Sequence, residues 1–371
     1  MTETPLISVV MSSYNHSKYV QEAIYSVLNQ TYKNFEFIIN DDGSSDDTLQ
    51  KIKEIQDDRI KLFWFEENQG ACASVNRCIK HASGDYIALI NSDDTWVTNK
   101  LEKQIKFLEE NSNIAAVFSY ANFKDANMND FPLEERPYFH NIFSQANRTR
   151  AEWVRKFFFE GNCLCHPSIL IRKKCYDELG LYENNFRQLP DYDMWVKFLK
   201  KYEFHIQEEG LINFRFIGSG NASSPTLTNH IRVRNELHLI TKNFFKNMPM
   251  QLFKEAFKDI LINKDFTSEE EYECEQAFLF INHQPIHKLI GYEKLFDLMQ
   301  KEQCKNLLKD NYKFTDKDFM KLSGEVSFFM NQETSTIAMI KIILQKISAT
   351  PKKKIILCCF NYLKNRIKKF L

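Results

Sequence analysis

Apolar positions along the first 120 residues fall into two rhythms. Short runs at Leu6 to Met11, Phe35 to Asn40, Ile60 to Phe65, Tyr86 to Ile90 and Ile114 to Tyr120 have the length and the Val, Ile and Phe content of buried strands. Between them the spacing changes to threes and fours. Val20, Ala23, Ile24, Val27 and Leu28 make one helical stripe, and Leu101, Ile105 and Leu108 make another, for which Thr98 is the expected N-cap. Strand and helix alternating in this way predict βαβ units. The fold class is therefore α/β, a mainly parallel twisted sheet with flanking helices.

From Asn122 to about Arg150 the periodicity lapses into a polar, aromatic-spotted stretch, the expected long excursion or lid. Structure is predicted to resume with a strand at Ser168 to Ile171, a helix from Asp191 to Lys201, and strands at Phe204 to Gln207 and Leu211 to Ile217. Gly218 to Pro225, reading GSGNASSP, is the expected boundary, so residues 1–229 form one domain and residues 230–371 an α-helical C-terminal region. From Lys341 onward the chain carries basic residues and no acidic one. Ile356, Phe360, Leu363, Ile367 and Phe370 recur there at steps of four and three, a basic amphipathic helix. Such a helix suits an anionic membrane surface, and equally suits packing on the helices before it.

Composition narrows the class. With 43% hydrophobic residues and 32 Phe among 371, the chain can bury a large core, which excludes global disorder. Lys and Arg balance Asp and Glu at 49 each, so no overall field advertises nucleic acid as a partner. The nine Cys are scattered without a CxxC pair, as expected of reduced thiols in the cytoplasm. No basic leader precedes the first strand, and no apolar run approaches the roughly 18 residues that span a bilayer. A cytoplasmic protein is expected, soluble or peripheral on the membrane's cytosolic face.

Carboxylates collect where an open α/β sheet holds its ligands, at the C-terminal ends of strands. The second strand ends in Asn40-Asp41-Asp42-Gly43-Ser44-Ser45-Asp46-Asp47, the fourth in Asn91-Ser92-Asp93-Asp94, and the first in Ser12-Ser13-Tyr14-Asn15. Acids this close repel one another unless a hard cation is present. Mg²⁺ or Mn²⁺ shared with a substrate diphosphate is the expected resolution. Asp46 and Asp47 read as a turn and a helix cap, Asp42 and Asp93 as functional groups.

The segments SVVMSSYNHSKYVQEAIYSVLNQTYKNFEFIINDDGSSDDT and ENQGACASVNRCIKHASGDYIALINSDDTW, in that order, resemble the family 2 inverting glycosyltransferases. That family has the GT-A nucleotide-diphospho-sugar transferase fold, and the resemblance covers roughly residues 5–220. It implies a glycosyltransferase catalytic domain in residues 1–229 and assigns roles. Ser12, Tyr14 and Asn15 match the segment that holds the nucleotide base, with the Tyr14 ring stacked on uracil and Asp42 accepting from its N–H. Gly70 and Asn76 match the donor-binding N-x-G-x-x-x-A-R-N segment, whose Arg position is Val75 here, with Arg77 beside it. Asn91, Asp93 and Asp94 stand where the family has its DxD motif, which implies Asp93 for the ribose, Asp93 and Asp94 for the metal, and an amide oxygen from Asn91.

In the second half Leu189-Pro190-Asp191-Tyr192-Asp193-Met194-Trp195 is similar to the family's E-D-x-D-L-W, with Pro190 in place of Glu. The resemblance makes Asp191 the base that deprotonates the acceptor hydroxyl, with Asp193 as fallback and His166 and Trp195 near the acceptor. Phe214-Arg215-Phe216-Ile217-Gly218-Ser219-Gly220-Asn221 resembles R-x-H-G-x-N, with Ile217 replacing His and Arg215 left to assist the diphosphate. The expected reaction is a metal-dependent, inverting single displacement from a UDP-sugar to a hydroxyl of a glycan or lipid-linked acceptor in polysaccharide biosynthesis. One carboxylate base is enough for it. The alternative is a non-catalytic sugar-nucleotide-binding or scaffold subunit of the same fold. A nucleotidyltransferase and a Ser-His-Asp hydrolase lack their signature segments.

Overall fold

The structure, a computed structural model, describes residues 4–131, 141–217, 226–283 and 285–326. Contacts within the chain define two compact units, Met1–Ser268 and Glu269–Leu371. The first is built on one eight-stranded sheet in the order β3-β2-β1-β4-β7-β6-β8-β5. Its strands are β1 (Ile7–Ser13), β2 (Phe35–Asp41), β3 (Ile60–Trp64), β4 (Tyr86–Asn91), β5 (Thr95–Trp96), β6 (Ile114–Lys124), β7 (Leu170–Arg172) and β8 (Glu203–Arg215). The pairs β1–β2, β2–β3, β1–β4 and β6–β8 are parallel. Strand β7 is antiparallel to both β4 and β6, and β5 is antiparallel to β8.

The apolar rhythm places the core where it was read. In α1 (Val20–Leu28) all five stripe residues are buried, and in α4 (Lys100–Glu110) Leu101, Ile105 and Leu108 are buried against the same sheet. Helix α2 (Thr48–Lys53) connects β2 to β3, and α3 (Ala71–Lys80) connects β3 to β4. The cap of α4 differs from expectation. Asn99 occupies that position, and the Thr98 carbonyl instead accepts the Thr31 amide at 2.9 Å. The lapse after Asn122 starts two residues later than read, at the end of β6, and finishes at α5 (Arg150–Glu160). A capping box of Thr149 and Glu152 starts that helix.

The two strands expected between Phe204 and Ile217 are one, β8. Its pairing with β6 jumps from Ser119–Gln207 to Tyr120–Gly210, so Glu208 and Glu209 bulge out and the polar pair reads in sequence as a break. Short α6 (Lys174–Leu179) precedes α7 (Pro190–Leu199). The helices expected to open a separate region, α8 (Leu227–Lys242) and α9 (Met250–Phe257), fall inside the first compact unit. Phenylalanines make that junction. Phe158 of α5 packs edge-on against Phe244 and Phe257, and Arg155 bonds Asp259 at 2.6 Å.

The second unit contains α10 (Glu269–Ile281), α11 (Pro285–Met299), α12 (Glu302–Tyr312) and α13 (Asp316–Ser323). Its core includes Cys274, Ala277, Leu295, Leu298, Leu308 and Leu322. Gly291 lets α11 approach α10 closely, since a Cβ there would lie 2.7 Å from the Ile281 nitrogen. The GSGNASSP segment and the basic tail fall outside the described residues. Among the described residues no helix is long and apolar enough to cross a membrane.

Candidate active site

Parallel register brings three strand ends into line. Ser12 of β1 pairs with Asn40 of β2 on one side and with Asn91 of β4 on the other. Tyr14 follows, with its ring 43% exposed and open to stack on a ligand. Asn15 adopts a left-handed conformation at φ 53°, and its amide oxygen accepts from the Ser45 nitrogen at 2.8 Å. Asn15 thus ties the β1 end to the β2 loop. Gly43 closes that loop at φ +69°, where an added Cβ would meet the Glu67 carbonyl carbon at 2.7 Å.

The acids of β2 and its loop divide by their partners. Asp41 accepts from the Ser44 nitrogen at 2.9 Å and its hydroxyl at 2.7 Å, a local turn. Asp46 accepts from the backbone nitrogens of Ser17 and Thr48, and Asp47 is the N-cap of α2. Asp42 is buried and accepts from the Gln69 nitrogen at 2.8 Å and the Gly70 nitrogen at 2.9 Å. Burial raises its carboxyl against those bonds. Gly70, at φ +94°, therefore acts through its backbone, seating Asp42 at the start of α3.

Asn76 and Arg77 are already engaged inside the protein. The Asn76 amide donates to the Tyr182 carbonyl at 2.7 Å and accepts from the Tyr182 nitrogen at 3.0 Å, fastening α3 to the loop before α7. Arg77 donates to the Trp64 carbonyl at 2.8 Å and lies over the rings of Phe63 and Phe65. The donor contacts expected of them are replaced here by internal ones.

The DxD-like segment divides in the same way. Asp94 is buried and accepts from the Arg215 nitrogen at 2.8 Å and the Asn91 amide at 3.0 Å, one bond on each oxygen. Asp94, expected as a metal ligand, is held here as a brace between β4 and β8. Arg215, 2% exposed, donates to the Asp93 carbonyl and the Ala126 carbonyl at 2.7 Å each and pairs with Glu22. Its guanidinium is a clamp under the site, not an open diphosphate ligand. The Asp93 carboxylate is also buried. Burial raises its pKa, and His16 Nε2 lies 4.0 Å from its carboxylate.

Those residues fit a hard cation shared with a substrate. A buried carboxylate short of donors, beside an Asn91 whose amide nitrogen is used while its oxygen is not, offers one or two oxygen ligands. Among the described residues no group of three His, Cys, Asp or Glu converges, so a diphosphate would complete the coordination.

On the far side, α7 opens with Pro190, and Asp191 sits in its first turn. The side chain is surrounded by protein yet keeps part of its surface open. Its oxygens accept from the Tyr192 nitrogen at 2.8 Å and from the Asn162 amide at 2.6 Å. Burial outweighs these bonds and raises the carboxyl to about 6. Asp193 is paired instead with Lys197 at 2.7 Å. Trp195, expected near an acceptor, is 1% exposed and packs edge-on against Phe118, so it belongs to the core. His166 Nε2 lies 2.9 Å from the Tyr182 hydroxyl, and burial lowers the ring to about 4, which keeps it neutral at pH 7.

Sequence reasoning missed His16, Asn162 and Tyr182. His16 follows Asn15 directly, and its Nδ1 lies 2.7 Å from the Ser92 hydroxyl, so its place beside the strand-one end was a usable signal. Asn162 sits alone in a loop, with nothing in its neighbours to mark it.

The mixed sheet, with a ring and buried carboxylates at its parallel strand ends, has the GT-A fold of glycosyltransferases. The crystal structure of S. aureus TarS 1–349 in complex with UDP-GlcNAc shares that fold, at TM-score 0.52 over 85% of this chain and 91% of that one, with 15% identity. The model of glycosyl transferase family 2 matches residues 8–180. An uncharacterised glycosyltransferase of Methanocaldococcus jannaschii is 35% identical over 224 residues, 59% of this chain and 73% of that protein. The UDP-Glc:alpha-D-GlcNAc-diphosphoundecaprenol beta-1,3-glucosyltransferase of Escherichia coli is 45% identical over 124 residues, 33% of this chain and 48% of that protein. The chain belongs to glycosyltransferase family 2.

Proposed function

We propose that the protein transfers a hexosyl group from a UDP-sugar to a hydroxyl of a glycan acceptor, lipid-linked or part of a surface polysaccharide, with inversion at the anomeric carbon. The observation that carries this reading is Asp191. It is a carboxylate raised to about 6, held by Asn162 on one oxygen and partly open, which suits a base working near neutral pH. The E. coli relative supports the donor and acceptor classes, since its name describes a UDP-Glc donor and a diphosphoundecaprenol-linked acceptor.

The Tyr14 ring stacks on the base, and Asp42 retains lone pairs beyond its two backbone bonds with which to accept the base's N–H. Asp93 and the Asn91 amide oxygen would hold a divalent cation, Mg²⁺ or Mn²⁺, which when bound offsets the charge of the departing diphosphate. Asp191 takes the acceptor proton as the hydroxyl oxygen attacks C1 from the face opposite the diphosphate. Neutral His166 orients through Tyr182 and carries no charge into the site. The basic C-terminal tail brings the enzyme to anionic lipid at a cytosolic membrane face, each well-placed Lys or Arg contributing about 1 kcal/mol.

Thermal shift with UDP, UDP-glucose and UDP-N-acetylglucosamine, with Mn²⁺, Mg²⁺ or chelator, tests the donor site. A shift that requires the metal supports it. The absence of any shift would favour a non-catalytic subunit. Asp191→Asn should lower UDP release by about 10²–10⁴-fold while leaving the shift intact. Retained turnover would remove Asp191 as base.

A further inference from the structure

The helix that carries Asp191 has an unusual start. Its N-cap, Leu189, has no side chain able to cap, and Pro190 has no N–H. The missing acceptor comes from another helix. Glu236, on α8 and only 7% exposed, accepts from the Leu189 and Gln188 nitrogens at 2.8 Å each through Oε2, and from the Arg187 nitrogen at 2.9 Å through Oε1. One carboxylate therefore gathers three consecutive backbone amides just before α7, where the helix dipole also favours negative charge.

These bonds concern geometry at Asp191. The Asp193 nitrogen bonds back to the Leu189 carbonyl at 3.1 Å, so the clamped residue is also the first link of the helix. The groups facing Asp191 come from several elements: Asn162 after α5, Cys72 on α3, Tyr182 from the loop before α7, and Glu236 from α8. Of these Glu236 is the acidic side chain whose repulsion opposes ionisation of Asp191.

We propose that Glu236 is a positioning residue for sugar transfer: it fixes the 187–189 backbone, and through it the place at which Asp191 meets the acceptor. This rests on Asp191 being the base. Charge and backbone bonding act together, so the two consequences can be read separately.

Three proteins decide it, full-length Glu236→Gln, Glu236→Ala and Asp191→Asn, each beside the wild type. Amide hydrogen exchange over residues 182–195 is read by mass spectrometry, and UDP release from UDP-glucose and UDP-N-acetylglucosamine is followed against pH. The expected result is faster exchange at Arg187, Gln188 and Leu189 in both Glu236 variants, with UDP release down about a hundredfold, as misplacement near 1 Å produces. The Michaelis constant for the donor should stay unchanged. In Glu236→Gln the acid limb of the rate should move to lower pH, because a negative neighbour of Asp191 is gone, whereas a purely structural support would lower the rate without moving the limb. Unchanged exchange in the variants overturns the clamp. Faster exchange with wild-type rate and limb overturns the positioning role. If Glu236→Ala does not fold, Glu236→Gln gives both readings. Turnover retained by Asp191→Asn would instead overturn the base assignment, and the exchange data would still judge the clamp.

Discussion

Identical side chains take different work from what donates to them. Asp41, Asp42, Asp94 and Asp191 read alike in sequence, yet Asp41 closes a turn and Asp94 braces a strand. Of these four, Asp191 alone combines a raised carboxyl with an open side. The residue types at the strand ends were legible, because acids cluster there in a recognisable spacing. Their partners were not, because Gln69, Asn162 and Arg215 reach their acids from remote parts of the chain. Asn162 offers a signed test. Its bond favours ionised Asp191, so Asn162→Ala should move the acid limb of UDP release above about 6, with the variant slower than wild type at neutral pH. His166, lowered to about 4, should add no limb of its own near the usual histidine range.

Elements with strong periodicity were predicted to within a few residues, α1 and α4 above all, because a stripe buried on a sheet leaves the same mark wherever it occurs. Helix α5 was missed. Its apolar residues are bunched as Phe157-Phe158-Phe159, and its start depends on the Thr149–Glu152 box. Strand β8 was split by its bulge, and its C-terminal end is secured by Arg215 rather than by its own pattern. Arg215→Met would leave the buried carbonyl of Asp93 and the part-buried one of Ala126 without their donor, a loss of roughly 1–3 kcal/mol. At roughly 2–4 °C per kcal/mol in a unit of this size, thermal unfolding should fall by several degrees, with Arg215→Lys in between.

Across the molecule, the sheet is latched at its opposite edge by Glu36. Its carboxylate accepts from the Ser8 hydroxyl at 2.6 Å and the Ser83 nitrogen at 2.7 Å, and pairs with Lys61 at 2.5 Å. Burial alone would raise this group, but the three partners outweigh it and hold the carboxyl at about 2, below the ordinary 4.5. A depressed carboxyl gives stability that is complete above about 4.5 and is lost as pH falls toward 2. Glu36→Gln should therefore cost roughly 1–3 kcal/mol at pH 7, with the gap to wild type narrowing below pH 4 when urea unfolding is measured at both. The two-unit organisation was visible only in part. Helical character does begin near Leu227, but the compact unit continues to Ser268, since a cluster of phenylalanines looks the same in sequence whichever body it joins.

Gly43 makes no contact with any proposed substrate, yet its backbone at φ +69° is one that L side chains rarely adopt, and a Cβ would collide with the main chain of Glu67 and Asn68. The spacing between two loops beside the candidate site is thus set by the width of a missing methyl group. Every other amino acid would be excluded there on shape alone, so an invariant column at this position would record steric necessity while looking like a catalytic signature.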